Sequence, residues 1–301
     1  MEETDYIWKN GTMLPWESAT THVLTHTLHY GGGVFEGLRV YDTERGPAIF
    51  RLPEHIERLF YSASALQMQI PFSQKEIVDA CIKVVRENKL QKGYVRPIAY
   101  YGYGKMGVNP KGAAVDVAIA CWPWGAYLPH DMIEVKVSSF IRIHPKTTVA
   151  DAKISGHYVN SILAVLELSG TKYHEALFLD FNGNVAEGPG ENLFVVKNGA
   201  IFTPQLGTIL PGITRATVME LARSLGFRIT ETNLTLSDVY TSDEAFFTGT
   251  AAEVTPIRSV NDMVIGKGEV GPLTSGIRKL FFDVVHGRIK EFEKFVTFVN
   301  G

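Results

Sequence analysis

The chain has 301 residues, enough for two domains and a large core. Hydrophobic residues make up 45% and charged residues 20%, and the net charge of −3 excludes the basic footprint of a nucleic-acid binder. Two cysteines exclude a disulfide framework, and no apolar run approaches membrane-spanning length, so a cytoplasmic protein is expected.

Residues 6–14 read as strand, Asn10-Gly11 turn, strand. Residues 23–29 are rich in Val and Thr and read as a further strand. On it His29 would point away from His22 and His26, and no Cys or acid completes a metal site. The run Tyr30-Gly31-Gly32-Gly33-Val34-Phe35-Glu36-Gly37-Leu38-Arg39 lets backbone pack closely or flex, with aromatics on either side. Pro53 opens a helix with the stripe Ile56, Leu59, Phe60, Ala63 and Leu66, and Arg58 sits at its edge, as a surface residue or as a phosphate anchor. Ser73-x-x-Glu76 is a capping box for a second helix running toward Asn88, with Cys81 on its apolar face.

Residues 94–101 form a strand whose one face carries Tyr94, Arg96, Ile98 and Tyr100. An arginine between tyrosines is costly to bury unless it binds an anion; a solvated edge arginine is the plain alternative. Gly102-Tyr-Gly104-Lys-Met-Gly107 matches a dinucleotide fingerprint, but Asn109-Pro110-Lys111-Gly112 forbids the helix it needs, so a loop is expected. Residues 115–121, including Cys121, are another strand, and both cysteines read as buried free thiols. Residues 122–130, with two prolines and Gly125, read as an interdomain linker.

Residues 133–140 alternate as a strand, and residues 141–152 have no clear period. Lys153 then falls where a strand-like segment meets a helix that starts near Tyr158 and ends at Gly170. Partly buried there, it would be a usable amine nucleophile of lowered pKa; a solvated lysine is the alternative. Next, Glu187-Gly-Pro-Gly-Glu191 makes an acidic, glycine-rich bend pinned between strands at 176–180 and 193–196. Leu210-Pro-Gly-Ile-Thr-Arg215 enters a helix that Thr214 can cap, and Gly249-Thr-Ala-Ala-Glu253 follows a buried strand. Either turn can offer amides to an anion. The tail from Gly271 to Lys294 holds an amphipathic helix that reads as core and surface.

A lysine, a hairpin carboxylate and two anion-type turns in one half of the chain are the parts of a pyridoxal phosphate site. The whole chain resembles the fold-type IV pyridoxal phosphate enzymes, and among them the branched-chain amino-acid aminotransferases. The resemblance rests on residues 29–39, Tyr94-Val-Arg96-Pro97, Met106-Gly-Val-Asn-Pro110, Pro123-Trp-Gly-Ala-Tyr127, Ala152-Lys153, Glu187-Gly-Pro-Gly-Glu-Asn192, Leu210-Pro-Gly-Ile-Thr-Arg215 and Gly249-Thr-Ala-Ala-Glu253.

The resemblance implies an α/β (α+β) fold of two domains: a smaller α+β domain at 1–122, a linker at 123–131, and a larger barrel-like domain at 132–301 with the cofactor between them. It implies transamination between Leu, Ile or Val and 2-oxoglutarate, in a homodimer at least. It makes Lys153 the Schiff-base lysine and proton shuttle, pairs Glu187 with the pyridine nitrogen and gives Tyr158 the 3′-oxygen. Arg58, the amides of Ile213 and Thr214, and Thr250 hold the phosphate, while Gly190, Asn192, Leu210 and Gly249 shape the cofactor site. Tyr30, Phe35, Gly37, Arg39, Trp124, Tyr127, Met106 and Val108, the last from a neighbouring subunit, line the substrate pocket. Thr250 and Ala251 take the α-carboxylate, and Arg96 with Tyr94 takes the γ-carboxylate of glutamate. The triple glycine and Pro189 depart from some relatives and bear on side-chain preference. D-amino-acid aminotransferase, (R)-amine transaminase and aminodeoxychorismate lyase are the rival readings within the fold.

Overall fold

The structure is a computed structural model that describes residues 2–125, 127–128 and 130–300. Ala126 and Pro129 of the expected linker lie outside the described residues. The chain forms two compact units. One comprises Met1–Gly125, Ala152–His157 and Asp283–Gly301; the other comprises Ala126–Asp151 and Tyr158–Phe282. The division expected from sequence runs the second domain unbroken to residue 301. Instead the chain returns twice to the first unit, because Ala152, Ile154 and Val299 are buried in its core.

The first unit is built on an antiparallel sheet in the order Val296–Phe298, Gly46–Phe50, Leu38–Thr43, Gly93–Tyr101, Val115–Trp122, Tyr6–Lys9, Thr12–Pro15. Gly33–Phe35 also pairs with Gly93–Tyr101. Alternation puts Val95, Ala99 and Tyr101 into the core, where they meet Ile56, Leu59 and Ala63 of the helix Leu52–Ala65 and Ile77, Cys81, Val84 and Val85 of the helix Gln74–Glu87. The second helix carries the expected reciprocal capping box of Ser73 and Glu76. Cys81 and Cys121 are both free and buried.

The strand expected at 23–29 is absent. A short helix, His26–Tyr30, stands there and ends on Gly31 at φ 69°. Its β-branched residues suggested a ladder, but turn bonds from Thr25 N to His22 O and from Leu28 N to Thr25 O satisfy the backbone locally. His26 and His29 bond to Gly107 O and Val23 O.

The sheet of the second unit rolls up on itself. Asn192–Lys197 pairs with Glu244–Gly249, which pairs with Glu253–Val260; Ile133–Val137 and Glu175–Leu177 follow. Phe178 then exchanges bonds with Ala186 and Glu187, Asp180 N donates to Asn184 O, and a Glu187–Asn192 bridge returns to the starting strand. The pairing therefore closes, giving the barrel-like curvature expected of this unit. Inside lie Leu177, Val185, Leu193, Val195, Ala245, Phe247 and Ile257. Ala200–Pro204 and Ile229–Thr232 extend the sheet, and the helices Ile213–Ser224 and Pro272–Val285 bury Val218, Leu221, Ile277 and Phe281. Among the described residues no helix is long and apolar enough to cross a membrane.

Candidate active site

In the first unit Lys153 is held by its backbone. Its amide donates to Ser62 Oγ at 2.9 Å and its carbonyl accepts from Phe35 N at 3.2 Å. Ile154 forms an isolated bridge with Val34, and Gly156 N donates to Gly31 O at 3.1 Å. This explains the glycine run. A Cβ on Gly31 would lie 2.9 Å from Gly156 Cα, and its φ of 69° is strained for other residues. Lys153 is half-buried, and its Nζ sits 5.0 Å from the centre of the Phe35 ring.

The outward face of Gly93–Tyr101 gathers the expected pocket residues of this unit. The Arg96 guanidinium lies over Phe35, Tyr94 and Trp122 at 4.8, 5.5 and 5.9 Å, and its Nε is buried without a hydrogen-bond partner among the described residues. A buried donor left open in an aromatic surround is suited to an anionic ligand. Trp124 packs edge-on to Tyr94 at 4.6 Å. Gly37 is buried against the Tyr94 hydroxyl, and Arg39 donates to Gly125 O. Gly107 N donates to the Tyr30 hydroxyl, which ties the loop carrying Met106 and Val108 to that residue. The fingerprint-like stretch is a loop, as expected. Val108 is 82% exposed.

Arg58 is not a solvated surface residue. It makes a two-pronged contact with Glu36, Nε to Oε1 at 2.6 Å and Nη2 to Oε2 at 2.9 Å, and His55 Nδ1 lies 2.6 Å from Oε2. Burial pushes the Glu36 carboxyl up, but Arg58 and His55 outweigh it and hold it well below the usual carboxylate range. Burial pushes the His55 imidazole below its usual value, against the pull of the Glu36 carboxylate. Glu36 was missed as a functional residue; the clue was that His55 and Arg58 share a helix face and need an anion.

In the second unit Glu187 is 4% exposed and accepts from three donors. Arg142 Nε reaches Oε1 at 2.6 Å, Asn192 Nδ2 reaches Oε2 at 2.9 Å, and Leu210 N lies 3.2 and 3.1 Å from the two oxygens. Arg142, itself 8% exposed, was also missed, because it falls in the aperiodic 141–152 stretch. Its own amide is tied to Leu179 O. Gly190 N donates to the neighbouring Glu191 carboxylate, and Gly249 packs against Gly190 O. The hairpin and the 249–253 turn thus touch. Thr250, Ala251 and Tyr158 are half-buried and Tyr127 is exposed.

The helix after Leu210 begins with Gly212, not Thr214, as its cap, and no side chain caps it. Thr214 lies inside the first turn, buried, because Gly212 takes the extended cap conformation and has no room for a side chain. The first-turn amides, including those of Ile213 and Thr214, therefore have no side-chain cap, which suits an anion. Arg215 fixes this helix by donating to Pro204 O and Glu231.

The amino-transferase class IV family model matches residues 33–260, and the chain belongs to that family. It is 49% identical over 298 residues to a branched-chain-amino-acid aminotransferase of Pseudomonas aeruginosa, covering 98% of this chain and 97% of that protein. Among solved structures it is similar to the T.th. branched-chain amino acid aminotransferase complexed with N-(5'-phosphopyridoxyl)-L-glutamate, with a TM-score of 0.97, 44% identity and 100% of each chain covered. The same enzyme with pyridoxamine 5'-phosphate gives a TM-score of 0.97 and 43% identity, again over 100% of each chain.

Proposed function

We propose that the chain is a pyridoxal 5'-phosphate-dependent transaminase that moves the amino group between L-leucine, L-isoleucine or L-valine and 2-oxoglutarate. The observation that carries this is the buried Glu187 carboxylate, held by Arg142 and linked through Asn192 and Leu210 to a helix start that lacks a side-chain cap. Those are the groups needed by a cofactor with a protonated ring nitrogen and a phosphate, so the residues present fit it. Bound there, pyridoxal phosphate supplies an electron sink for the carbanion formed at the substrate Cα.

Lys153 would hold the cofactor through its amine and move the proton at the substrate Cα. Glu187 keeps the ring nitrogen protonated, and Tyr158 donates to the 3′-oxygen. The Ile213 and Thr214 amides, Arg58 and Thr250 hold the phosphate, Arg58 being aimed by Glu36. Thr250 and Ala251 receive the α-carboxylate. Phe35, Tyr94 and Trp124 exclude water from an apolar side chain, and the open Nε of Arg96 serves the γ-carboxylate of glutamate. Tyr30 and Met106, with Val108 of the partner subunit, complete the pocket. The working unit is a homodimer at least. In support, the helix Tyr158–Leu166 leaves Val159, Ile162 and Leu166 more than half exposed in the single chain, as is Val108. The two buried reduced thiols suit a cytoplasmic setting.

The test is a visible absorption titration of the purified protein. L-Leucine should bleach the cofactor band and 2-oxoglutarate should restore it. Bleaching by D-alanine or (R)-1-phenylethylamine alone would keep the cofactor and overturn the substrate.

A further inference from the structure

Asn192 sits 4% exposed at the start of the strand Asn192–Lys197, and both of its amide hydrogens are used. One goes to Glu187 Oε2 and the other to Leu210 O, each at 2.9 Å. Leu210 N returns to the Glu187 carboxylate at 3.1 and 3.2 Å, so the three residues close a ring of hydrogen bonds. The amide oxygen of Asn192 bears on Gly212, where a Cβ would lie only 1.9 Å away. Gly212 is the cap of the helix Ile213–Ser224. One buried side chain therefore touches the hairpin carboxylate, the turn after it and the helix start.

We propose that Asn192 is a positioning residue that sets the spacing between the Glu187 carboxylate and the anion-binding helix start, so that the two ends of the cofactor bind cooperatively. This rests on the reading that Glu187 serves the ring nitrogen and the Ile213 and Thr214 amides serve the phosphate. Asn192 itself need not touch the cofactor. A strut of this kind makes the phosphate's share of the affinity depend on the ring end being seated, and the reverse. Gly212 belongs to the same device: its missing side chain is what lets the strut reach the helix cap.

The experiment titrates cofactor-free protein, read by tryptophan fluorescence, with pyridoxal 5'-phosphate and with pyridoxal, which has the ring and no phosphate. The quantity read is the ratio of the two Kd values. Asn192→Ala should shrink that ratio about tenfold, the scale of one hydrogen bond to a charged group. In the parent, Glu187→Gln should cost more with the phosphorylated ligand than with pyridoxal; in the Asn192→Ala background its cost should be equal on both. Gly212→Ala, which keeps Asn192 but displaces its amide, should shrink the ratio as well, and it carries the test if Asn192→Ala does not fold. If the variants weaken both ligands by one common factor, Asn192 is merely structural and the proposal is overturned. If Glu187→Gln leaves both Kd values unchanged, the assignment of Glu187 fails and takes the strut with it.

Discussion

The surroundings of Lys153 and of Glu187 are built on opposite principles. Lys153 is fixed through its main chain, by Ser62, Phe35 and the glycine run that lets residues 153–156 lie close against it. Glu187 is fixed through its side chain, by a guanidinium, an amide and a backbone N–H that converge on two oxygens. The contrast suits the roles proposed for each. A group proposed to carry a proton between two atoms needs a backbone held in a set place. A group that holds one charge against one ring atom is better immobilised, since preorganised charge costs no rearrangement during reaction.

The contrast can be broken from the Glu187 side first, where the largest effect is expected. Glu187→Gln should lower kcat by two to three orders of magnitude, on the order of the loss of one preorganised charge. Arg142→Met removes the cation from a carboxylate that stays buried. It should cost roughly 3 kcal/mol in urea unfolding, and a loss within error would show that Asn192 and Leu210 suffice. On the Lys153 side, Gly31→Ala combines a left-handed φ with a close backbone neighbour. It should cost about 2 kcal/mol and reduce activity by displacing residues 153–156, with the Glu187 network untouched.

The smallest effect concerns a carboxylate outside both networks. Burial raises Glu175 to about 7, against the bond it accepts from Ala176 N. The folded protein then keeps a proton that the unfolded chain releases near 4.5, so this group lowers stability as pH rises from about 4.5 to about 7 and changes little above. Glu175→Gln should add roughly 1–3 kcal/mol at pH 8 and nothing at pH 4 in thermal melts.

Much of this was legible in the chain. Helix stripes, the Ser73 capping box and the Asn10-Gly11 turn are local signals, and the structure follows them. Lys153, Glu187 and the two anion-type turns stand out because their residue types sit badly in ordinary helices and strands. The partners did not stand out. Glu36 reaches Arg58 across 22 residues and Arg142 reaches Glu187 across 45, and no periodicity encodes such pairings. The His26–Tyr30 helix was misread because β-branched residues tip a short segment toward strand, while the deciding bonds to His22 and Gly102 come from turn and tertiary context. The two returns of the chain to the first unit are likewise set by the burial of Ile154 and Val299, which composition does not reveal.

The central claim, that Lys153 moves a proton while Glu187 stays put, is tested most directly by single-turnover kinetics with L-leucine and its α-deuterated form. Lys153→Ala should slow the reaction on the order of a thousandfold or more. Added methylamine should restore rate in proportion to its concentration, with a primary isotope effect retained. Glu187→Gln should not be rescued by any amine. A Lys153→Ala protein that turns over at the parent rate, or that no amine accelerates while Glu187→Gln is rescued, would contradict the account.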